Sequence, residues 1–185
     1  MERKVKGTLV KSIVKGIKSD KTNKQKYDDF LTDKAKELLN IRILDSLWYS
    51  FDMYLELYLA LGKFYAKNNN AIFLKWGRQF GEGIMTSIYR HIIGEGNVDK
   101  LIEKYRRLYK LFFNFGNYSL ERISNNEIIV GYKDFEPNYE FWYYTAVGWI
   151  QKSVEMCIEK KVNYEFLKKS WKGDEFTEFK FTWLS

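Results

Sequence analysis

The stretch YEFWYYTAVGWIQKSVEMCIEKKVNYEFLKKSWKGDEFTEFKFTW, residues 139–183, decides the fold class. Its first part, Tyr139–Glu159, repeats apolar residues at a spacing that places them on one face of a helix. The second part alternates apolar and polar residues, which is typical of strands with one buried face. Val162–Lys168 and Glu175–Trp183 are the two predicted strands, and Gly173 allows a tight reversal between them. The sequence therefore predicts a helix followed by a β-hairpin.

The predicted helix carries small residues on its apolar side. Ala146, Gly148 and Ser153 leave room for a close neighbour, and Trp142 and Trp149 are large enough to fill the space beside them. Because a hairpin with one apolar face follows directly, we expect the backbone of this helix to lie close to a sheet.

Upstream of residue 139 the apolar spacing is mainly helical. A second run of alternation, Tyr118–Tyr132, contains the turn residues Ser124-Asn125-Asn126 and predicts another hairpin. The other predicted elements are a strand at Val5–Val10, a Lys-rich loop to Lys26, and helices at Tyr27–Leu39, from a Ser50 cap to about Lys67, at Ala71–Ile93 and after an Asn97 cap.

The longest predicted helix contains two glycines four residues apart. Gly77 and Gly81 share one face of it, which indicates a close crossing with another helix. Arg78 and Glu82 have the same spacing, and we interpret them as an ordinary ion pair along that helix.

Together these patterns predict an α+β fold. A helical N-terminal two-thirds is expected to pack on an antiparallel sheet of about four to five strands, completed by the C-terminal helix-hairpin unit. The chain has 185 residues, of which 45% are hydrophobic, so we expect a single domain over residues 1–185. We find neither a secretory signal nor an apolar run long enough for a transmembrane helix, and we expect a cytoplasmic protein.

The net charge of +7 is concentrated at the N-terminus. Residues 1–26 hold nine basic and two acidic side chains, and the rest of the chain carries equal numbers of both. Such a segment is able to contact nucleic acid or an anionic membrane. Because lysines also protect an edge strand from unwanted pairing, we expect a solvated Lys-rich edge and not a nucleic-acid or membrane contact.

Cysteine and histidine are scarce in this chain. A single Cys excludes an internal disulfide, and a single His argues against a His/Cys metal site. Cys157 is interpreted as a small buried hydrophobe and His91 as a helix-end residue with a structural or surface role. No Ser/His/Asp, Cys/His or phosphate-loop arrangement emerges. We therefore predict no catalytic residues and no metal ligands, and the sequence identifies no cofactor.

Several short motifs, taken in order, resemble an uncharacterised bacterial family that is abundant in myxobacteria. That family is similar to the wider superfamily of heme-NO-binding, vinyl-reductase-type and Golgi-tethering (TRAPP) ligand-binding domains. The motifs cover most of the chain and are Ile43–Tyr49, Gly77-Arg78, Ile88–Arg90, Gly148–Ile150, Gly173-Asp174, Glu178-Phe179 and Trp183.

The resemblance also shows where this chain departs from its relatives. Vinyl-reductase-type domains place cysteines where Lys169 and Thr177 align here, and neither side chain is a thiolate ligand. Heme-NO domains bind iron through a His and hold the heme propionates with a Tyr-x-Ser-x-Arg motif. The nearest segment, Tyr118–Arg122, has the wrong order, and His91 is the one histidine available. The resemblance thus implies the fold and leaves heme binding open.

Two functions follow from these observations. The first is a non-enzymatic small-molecule-binding or sensor domain with an aromatic, apolar pocket for a small apolar or aromatic ligand. We predict that the pocket is lined by Trp48, Tyr49, Trp76, Tyr89, Trp142 and Trp149.

The second function is a protein-interaction or assembly module, such as a homodimer or an adaptor without bound ligand. The resemblance to the Golgi-tethering domains implies this role, since the same fold serves there as a building block. An enzymatic role is not expected, because the acidic residues fall mainly on polar faces.

Overall fold

The structure, a computed structural model that describes residues 2–184, contains seven α-helices and two antiparallel sheets in that range. The predicted α+β class is confirmed. The chain divides into two compact units, Met1–Asn69 with Lys110–Phe115, and Asn70–Tyr109 with Gly116–Ser185. That residues 1–185 form a single domain stays a prediction.

The first unit is built mainly from helices. Its buried residues include the apolar faces of two helices that contact each other. The elements are β1 (Lys4–Lys6), α1 (Gly7–Ser19), α2 (Lys24–Phe30), α3 (Asp33–Asn40), β2 (Trp48–Ser50) and α4 (Phe51–Phe64).

The N-terminal prediction was wrong. Only Lys4–Lys6 is a strand, pairing antiparallel with β2, and the helix α1 replaces both the remainder of the predicted strand and most of the predicted loop. The alternation in Val5–Val10 is short, and after Gly7 the apolar residues follow helical spacing. The buried positions of α1 are Gly7, Val10, Ile13, Val14 and Ile17. The lysines of this segment therefore lie mostly on a helix and not on an edge strand.

The predicted helix Tyr27–Leu39 is split in two. It breaks at Leu31 and Thr32, where the Thr32 side chain accepts a hydrogen bond from the Ala35 N–H, 3.3 Å, and caps α3. The Thr32 hydroxyl also donates to Glu56 Oε2 at 2.8 Å. A threonine cap thus overrides a continuous apolar stripe. The Ser50 cap is confirmed, because its hydroxyl accepts from the Met53 N–H at the start of α4.

The second unit combines helices with the larger sheet. The predicted helix Ala71–Ile93 ends early, at Ser87, and a 3-10 turn at Arg90–Ile92 follows it. The Asn97 cap is confirmed, with its Oδ1 accepting from the Lys100 N–H at 3.0 Å. The elements are α5 (Asn70–Ser87), α6 (Val98–Phe112, within this unit to Tyr109), β3 (Asn117–Ser124), β4 (Glu127–Lys133), α7 (Glu140–Ile158), β5 (Val162–Lys168) and β6 (Thr177–Trp183).

Both predicted hairpins are confirmed, and they join into one sheet. The strand order is β3-β4-β6-β5, all antiparallel. Val130 pairs with Phe179, which in turn pairs with Phe166 of β5. Residues 179, 181 and 183 of β6 are buried, as their alternation predicted. The C-terminal helix contacts β5 and β6, which confirms the helix-hairpin unit.

The helices α5 and α7 cross with their backbones in contact. A Cβ added at Gly77 would lie 1.9 Å from the Thr145 carbonyl oxygen, and one at Gly81 would lie 2.5 Å from that of Trp149. Reciprocally, a Cβ at Gly148 would lie 2.1 Å from the Leu74 oxygen. The predicted close crossing is therefore confirmed. The expectation that Gly148 faces a sheet was wrong, since α5 occupies that side of α7.

Candidate functional site

Aromatic rings from four elements and one loop meet in the second unit. We call this group the aromatic cluster: Tyr109, Tyr118, Tyr132, Phe135, Trp142 and Tyr143. Tyr132 of β4 lies at its centre, with ring centroids 5.0 Å from Trp142 and 5.1 Å from Tyr118. The Tyr132–Trp142 pair is edge-to-face, and Tyr109 stacks on Tyr118 at 4.9 Å. These geometries are the favourable arrangements of aromatic pairs.

The phenols of the aromatic cluster are poor acids. Burial raises the pKa of Tyr132 and of Tyr118 well above the ordinary value, and neighbouring phenols add to the effect. Burial also raises the pKa of Tyr109. The cluster therefore stays neutral across the physiological pH range and presents an apolar interior with a few hydroxyl groups.

A second aromatic group surrounds Tyr105 of α6. Its ring centroid lies 5.4 Å from that of Trp149 and 6.2 Å from that of Tyr89, and Trp149 also meets Phe80 edge-to-face at 5.0 Å. The Tyr105 hydroxyl donates to Ser153, whose own hydroxyl donates to the Trp149 carbonyl at 2.9 Å. This chain of hydrogen bonds fixes Tyr105 against α7.

The six predicted pocket residues are distributed over both units. Trp142 belongs to the aromatic cluster, whereas Trp149 and Tyr89 both contact Tyr105. Trp76 meets Phe73, which stacks on Phe141 of α7 at 4.8 Å. These four residues belong to the second unit.

Trp48 and Tyr49 lie in β2 of the first unit. The Trp48 side chain is exposed, with the Lys6 ammonium 4.1 Å from its ring centroid. The Tyr49 hydroxyl accepts a hydrogen bond from the Leu44 N–H at 2.9 Å. That Trp48 and Tyr49 line a pocket stays a prediction.

Sequence reasoning missed the central members of the aromatic cluster. Tyr118 and Tyr132 lie in the run of alternation that predicts a hairpin, and Tyr105 and Tyr109 lie in the helix predicted after the Asn97 cap, but none of the four was predicted to line a pocket. Their convergence depends on how the strands and helices pack, which periodicity does not specify.

Arg78 is part of an interhelical contact. Its guanidinium donates to Gln151 Oε1 at 2.8 Å and to Glu155 Oε2 at 2.7 Å, both on α7. The predicted ion pair with Glu82 was wrong, because Glu82 instead lies 3.9 Å from the Lys152 ammonium. Beside this contact is a polar groove of about 300 Å³, lined by Ala71, Leu74, Lys75, Arg78, Gln79, Glu82 and Lys152.

Cys157 and His91 occupy contrasting environments. Cys157 is fully buried, as predicted, and burial raises the pKa of its thiol to about 11. His91 is exposed in the 3-10 turn after α5. Thr177 is buried with its hydroxyl 2.7 Å from that of Ser170. Asp174 stabilises the adjacent turn by accepting a hydrogen bond from the Lys169 N–H.

The described residues contain neither a group of metal-binding side chains nor a helix able to span a membrane. Within residues 2–184, no three His, Cys, Asp or Glu side chains are grouped so that they could hold a metal ion. Over the same described range, every helix is too short or too polar to cross a membrane.

Comparison with known proteins places this fold among H-NOX domains. No protein-family model matches the chain, and no curated protein matches it in sequence. The unliganded Fe(II) H-NOX protein from K. algicida is 15% identical with a TM-score of 0.64, covering 97% of both chains.

Two further solved structures agree with this result. A mutant of the T. tengcongensis H-NOX is 17% identical with a TM-score of 0.64, over 97% of this chain and 98% of that one. An oxygen-binding H-NOX domain related to soluble guanylate cyclases is 16% identical with a TM-score of 0.61, over 97% and 95%. At such low identity the likeness establishes a shared fold.

Proposed function

We propose that this chain is a non-enzymatic small-molecule-binding or sensor domain whose ligand is a small apolar or aromatic molecule. The observation that carries the proposal is the aromatic interior of the second unit in a chain with the H-NOX fold. H-NOX domains of known structure include one solved as an oxygen complex. Rings arranged around a few hydroxyl groups suit a ligand that is largely apolar.

The residues present do not fit the heme that solved H-NOX structures are described with. Heme iron is held by a His, a Cys thiolate, a Met or a Tyr. His91 is exposed on a short turn, and the buried Cys157 stays a thiol because its pKa is raised. The Tyr105 hydroxyl is bound to Ser153, and burial raises its pKa. The proposed ligand is therefore an organic molecule that binds without an iron bond to His91, Cys157 or Tyr105.

The proposed pocket uses the predicted residues of the second unit, Trp76, Tyr89, Trp142 and Trp149. Support for a non-enzymatic role comes from the chemistry of their neighbours. General acid-base catalysis needs a group that titrates near the working pH. The phenols of the aromatic cluster and the Cys157 thiol remain protonated there, because burial raises the pKa of each. In the proposed pocket these phenols and the thiol supply apolar surface and hydrogen-bonding groups for the ligand.

The first experiment is a native mass spectrum and an absorption spectrum of the protein purified without added ligand. We expect a colourless protein, with or without an added small organic mass. A Soret band that persists after desalting would overturn the assignment of a ligand other than heme.

The second experiment uses Nile red as an apolar probe, titrated into the ligand-free protein. We expect saturable binding that Trp149→Phe weakens by about fivefold, since it removes ring area from the proposed pocket. Trp183→Phe, in β6 and outside the proposed pocket, is the matched control and should bind as the unaltered protein does. Absence of saturable binding, or equal effects of both variants, would contradict the proposal.

A second candidate, an assembly module, is favoured by the edges of the sheet. In the described part of the chain β3 and β5 are terminal strands, and each exposes an apolar side chain, Ile123 or Leu167. Edge strands of this kind pair with other chains. Sedimentation velocity decides this point. A concentration-dependent dimer abolished by Ile123→Lys would support assembly, and a monomer at all concentrations would exclude a homodimer.

A further inference from the structure

The first unit presents a stripe of lysines along α1. Lys11, Lys15 and Lys18 are spaced four and three residues apart, so they share one helix face, and all three are exposed. The opposite face is buried in the unit. The helix is thus anchored by its apolar side and displays its cationic side to solvent.

Exposed apolar residues precede and begin β2. Ile41, Leu44, Leu47 and Trp48, which we call the apolar loop, are exposed to 48%, 42%, 50% and 39%. Isolated exposed hydrophobic residues are ordinary on protein surfaces. Four within eight positions of one loop are a concentration that indicates a contact surface.

The lysine stripe and the apolar loop adjoin each other. Lys11 Nζ lies 2.9 Å from Asp45 Oδ2, between Leu44 and Leu47 in the chain. The Gly7 N–H at the start of α1 donates to the Leu47 carbonyl at 2.9 Å. Lys6, opposite Trp48 in the β1-β2 pairing, covers the indole ring. Cations and apolar side chains therefore share one region of this unit.

The charge distribution favours an anionic partner. Residues 1–26 carry the entire net positive charge of the chain. The sequence-based argument against a membrane contact depended on an edge strand, and the structure has a helix there instead. Lys11, Lys15 and Lys18 lie on α1 and not on a strand, so protection of a strand edge does not explain the lysine stripe.

We propose that this surface docks on an anionic lipid bilayer. The ammonium groups of Lys15 and Lys18 would lie among anionic headgroups, beside Lys11, which is paired with Asp45. Leucine, isoleucine and tryptophan side chains of the apolar loop enter the interfacial zone, where such residues are stable. The contact is peripheral and reversible, because Asp45, between Leu44 and Leu47 in the chain, stays at the surface paired with Lys11. Within residues 2–184, no helix is long and apolar enough to cross the hydrocarbon core.

A bilayer fits this surface better than a nucleic acid does. Proteins that bind single strands stack bases on exposed rings. The apolar loop offers one ring, that of Trp48, and the Lys6 ammonium lies 4.1 Å from its centroid. The other members, Ile41, Leu44 and Leu47, are aliphatic and suit acyl chains.

The test is co-sedimentation of the full chain with vesicles of phosphatidylserine and phosphatidylcholine, beside vesicles of phosphatidylcholine alone. We expect binding to the anionic vesicles that weakens as salt is raised. The double variant Lys15→Gln/Lys18→Gln should bind at least about tenfold more weakly. The charge-matched control is Lys161→Gln/Lys172→Gln, two exposed lysines of the second unit, and its binding should be unchanged.

A second pair of variants tests the apolar loop. Leu47→Ser should weaken vesicle binding by about threefold or more, whereas Ile88→Ser, an exposed apolar residue of the second unit, should not. Thermal melts of each variant verify folding. Equal binding to neutral vesicles, equal loss in the control variants or no binding at all would overturn the proposal. It would also be overturned if the lysine variants lost affinity for a fluorescent single-stranded oligonucleotide while keeping it for vesicles.

Discussion

Two helix pairs in this chain use glycine in opposite ways. Where α1 contacts α4, a Cβ added at Gly16 would meet the Leu61 side chain at 3.1 Å. Where α5 crosses α7, a Cβ at Gly77 or Gly148 would meet a backbone carbonyl at 1.9 or 2.1 Å. In the first pair the added Cβ would meet a methyl group of a flexible side chain. In the second pair it would meet a carbonyl oxygen of a helical main chain.

The difference shows which of the two contacts can adjust to an added methyl group. A leucine side chain moves by small rotations that cost little, whereas a helical carbonyl moves only if the whole helix shifts. The α5–α7 pair therefore depends on glycine, and α1–α4 tolerates a substitution. Gly83 completes the comparison, because it lies on α5 and an added Cβ there would meet no atom within 4 Å beyond the adjacent backbone of its own helix.

The largest expected effect is that of Gly77→Ala. Its new methyl group cannot fit beside the Thr145 carbonyl, so we expect a loss of about 3 kcal/mol or more in the free energy of unfolding. The gain in helix propensity, about 1 kcal/mol, is too small to offset this. Urea unfolding of the variant beside Gly83→Ala measures the difference. Equal stabilities would disprove the close crossing.

Cys157 of α7 adds a pH dependence to this unit. Its folded-state pKa, about 11, lies above the unfolded value near 9. The folded protein therefore holds the proton more tightly, and the resulting stability is complete below about pH 9 and is lost as the pH rises toward about 11. We expect the difference between the wild type and Cys157→Ala to narrow by on the order of 2 kcal/mol over that range.

Chemical unfolding at several alkaline pH values measures this effect. Subtracting the variant removes the contribution of the buried tyrosines, which also titrate at high pH. A constant difference between the two proteins would mean that the thiol ionises as freely in the folded chain as in the unfolded one.

A smaller effect is expected from the polar edge of the α5–α7 crossing. Arg78→Gln removes the guanidinium that pairs with Glu155, whose side chain is 17% exposed. The largely buried carboxylate then lacks the positive charge that offsets its loss of contact with water. Because Arg78 itself is 35% exposed, solvent screens the pair, and we expect a loss of about 1 kcal/mol. A double-mutant cycle with Glu155→Gln measures the coupling, and additive losses would show that the pair contributes nothing.

The smallest effects are those of Gly16→Ala and Gly83→Ala. On Gly83 the methyl group meets open space, so we expect a gain of about 0.5–1 kcal/mol from helix propensity. On Gly16 the same gain is balanced by a small displacement of Leu61, and we expect a change within about 0.5 kcal/mol of zero. Thermal unfolding of both variants sharpens the comparison. If Gly16→Ala lowered the free energy of unfolding as much as Gly77→Ala does, the two helix pairs would not differ in their need for glycine.

Much of the second unit could be predicted from the sequence. The limits of α7, the two hairpins and the Asn97 cap follow from periodicity and capping residues, which act over a few positions. The first unit was harder, because Val5–Val10 fits two periods in a short window and Thr32 interrupts an otherwise continuous apolar stripe. At Thr32 a capping hydrogen bond favoured two helices over one. At residues 7–10 the burial of one helix face favoured a helix over a strand.

The candidate site was predicted only in part. Large rings on α5 and α7 were identified, but the partners that hold them, such as Tyr132 for Trp142 and Tyr105 for Trp149, come from distant parts of the chain. Arg78 shows the same limit, since a sequence window offers Glu82 and the crossing brings Glu155 instead. Spacing identifies the face of a side chain and not its partner.

The sequence by itself determined the α+β class, the C-terminal helix and hairpin, and the need for glycine at 77 and 81. These features depend on backbone geometry, which repeats every two residues in a strand and every 3.6 in a helix. Only the tertiary structure decided that α5, and not a sheet, lies against Gly148, and that the lysines of α1 adjoin the apolar loop. Those contacts join residues far apart in the chain, and their choice depends on packing the whole core at once.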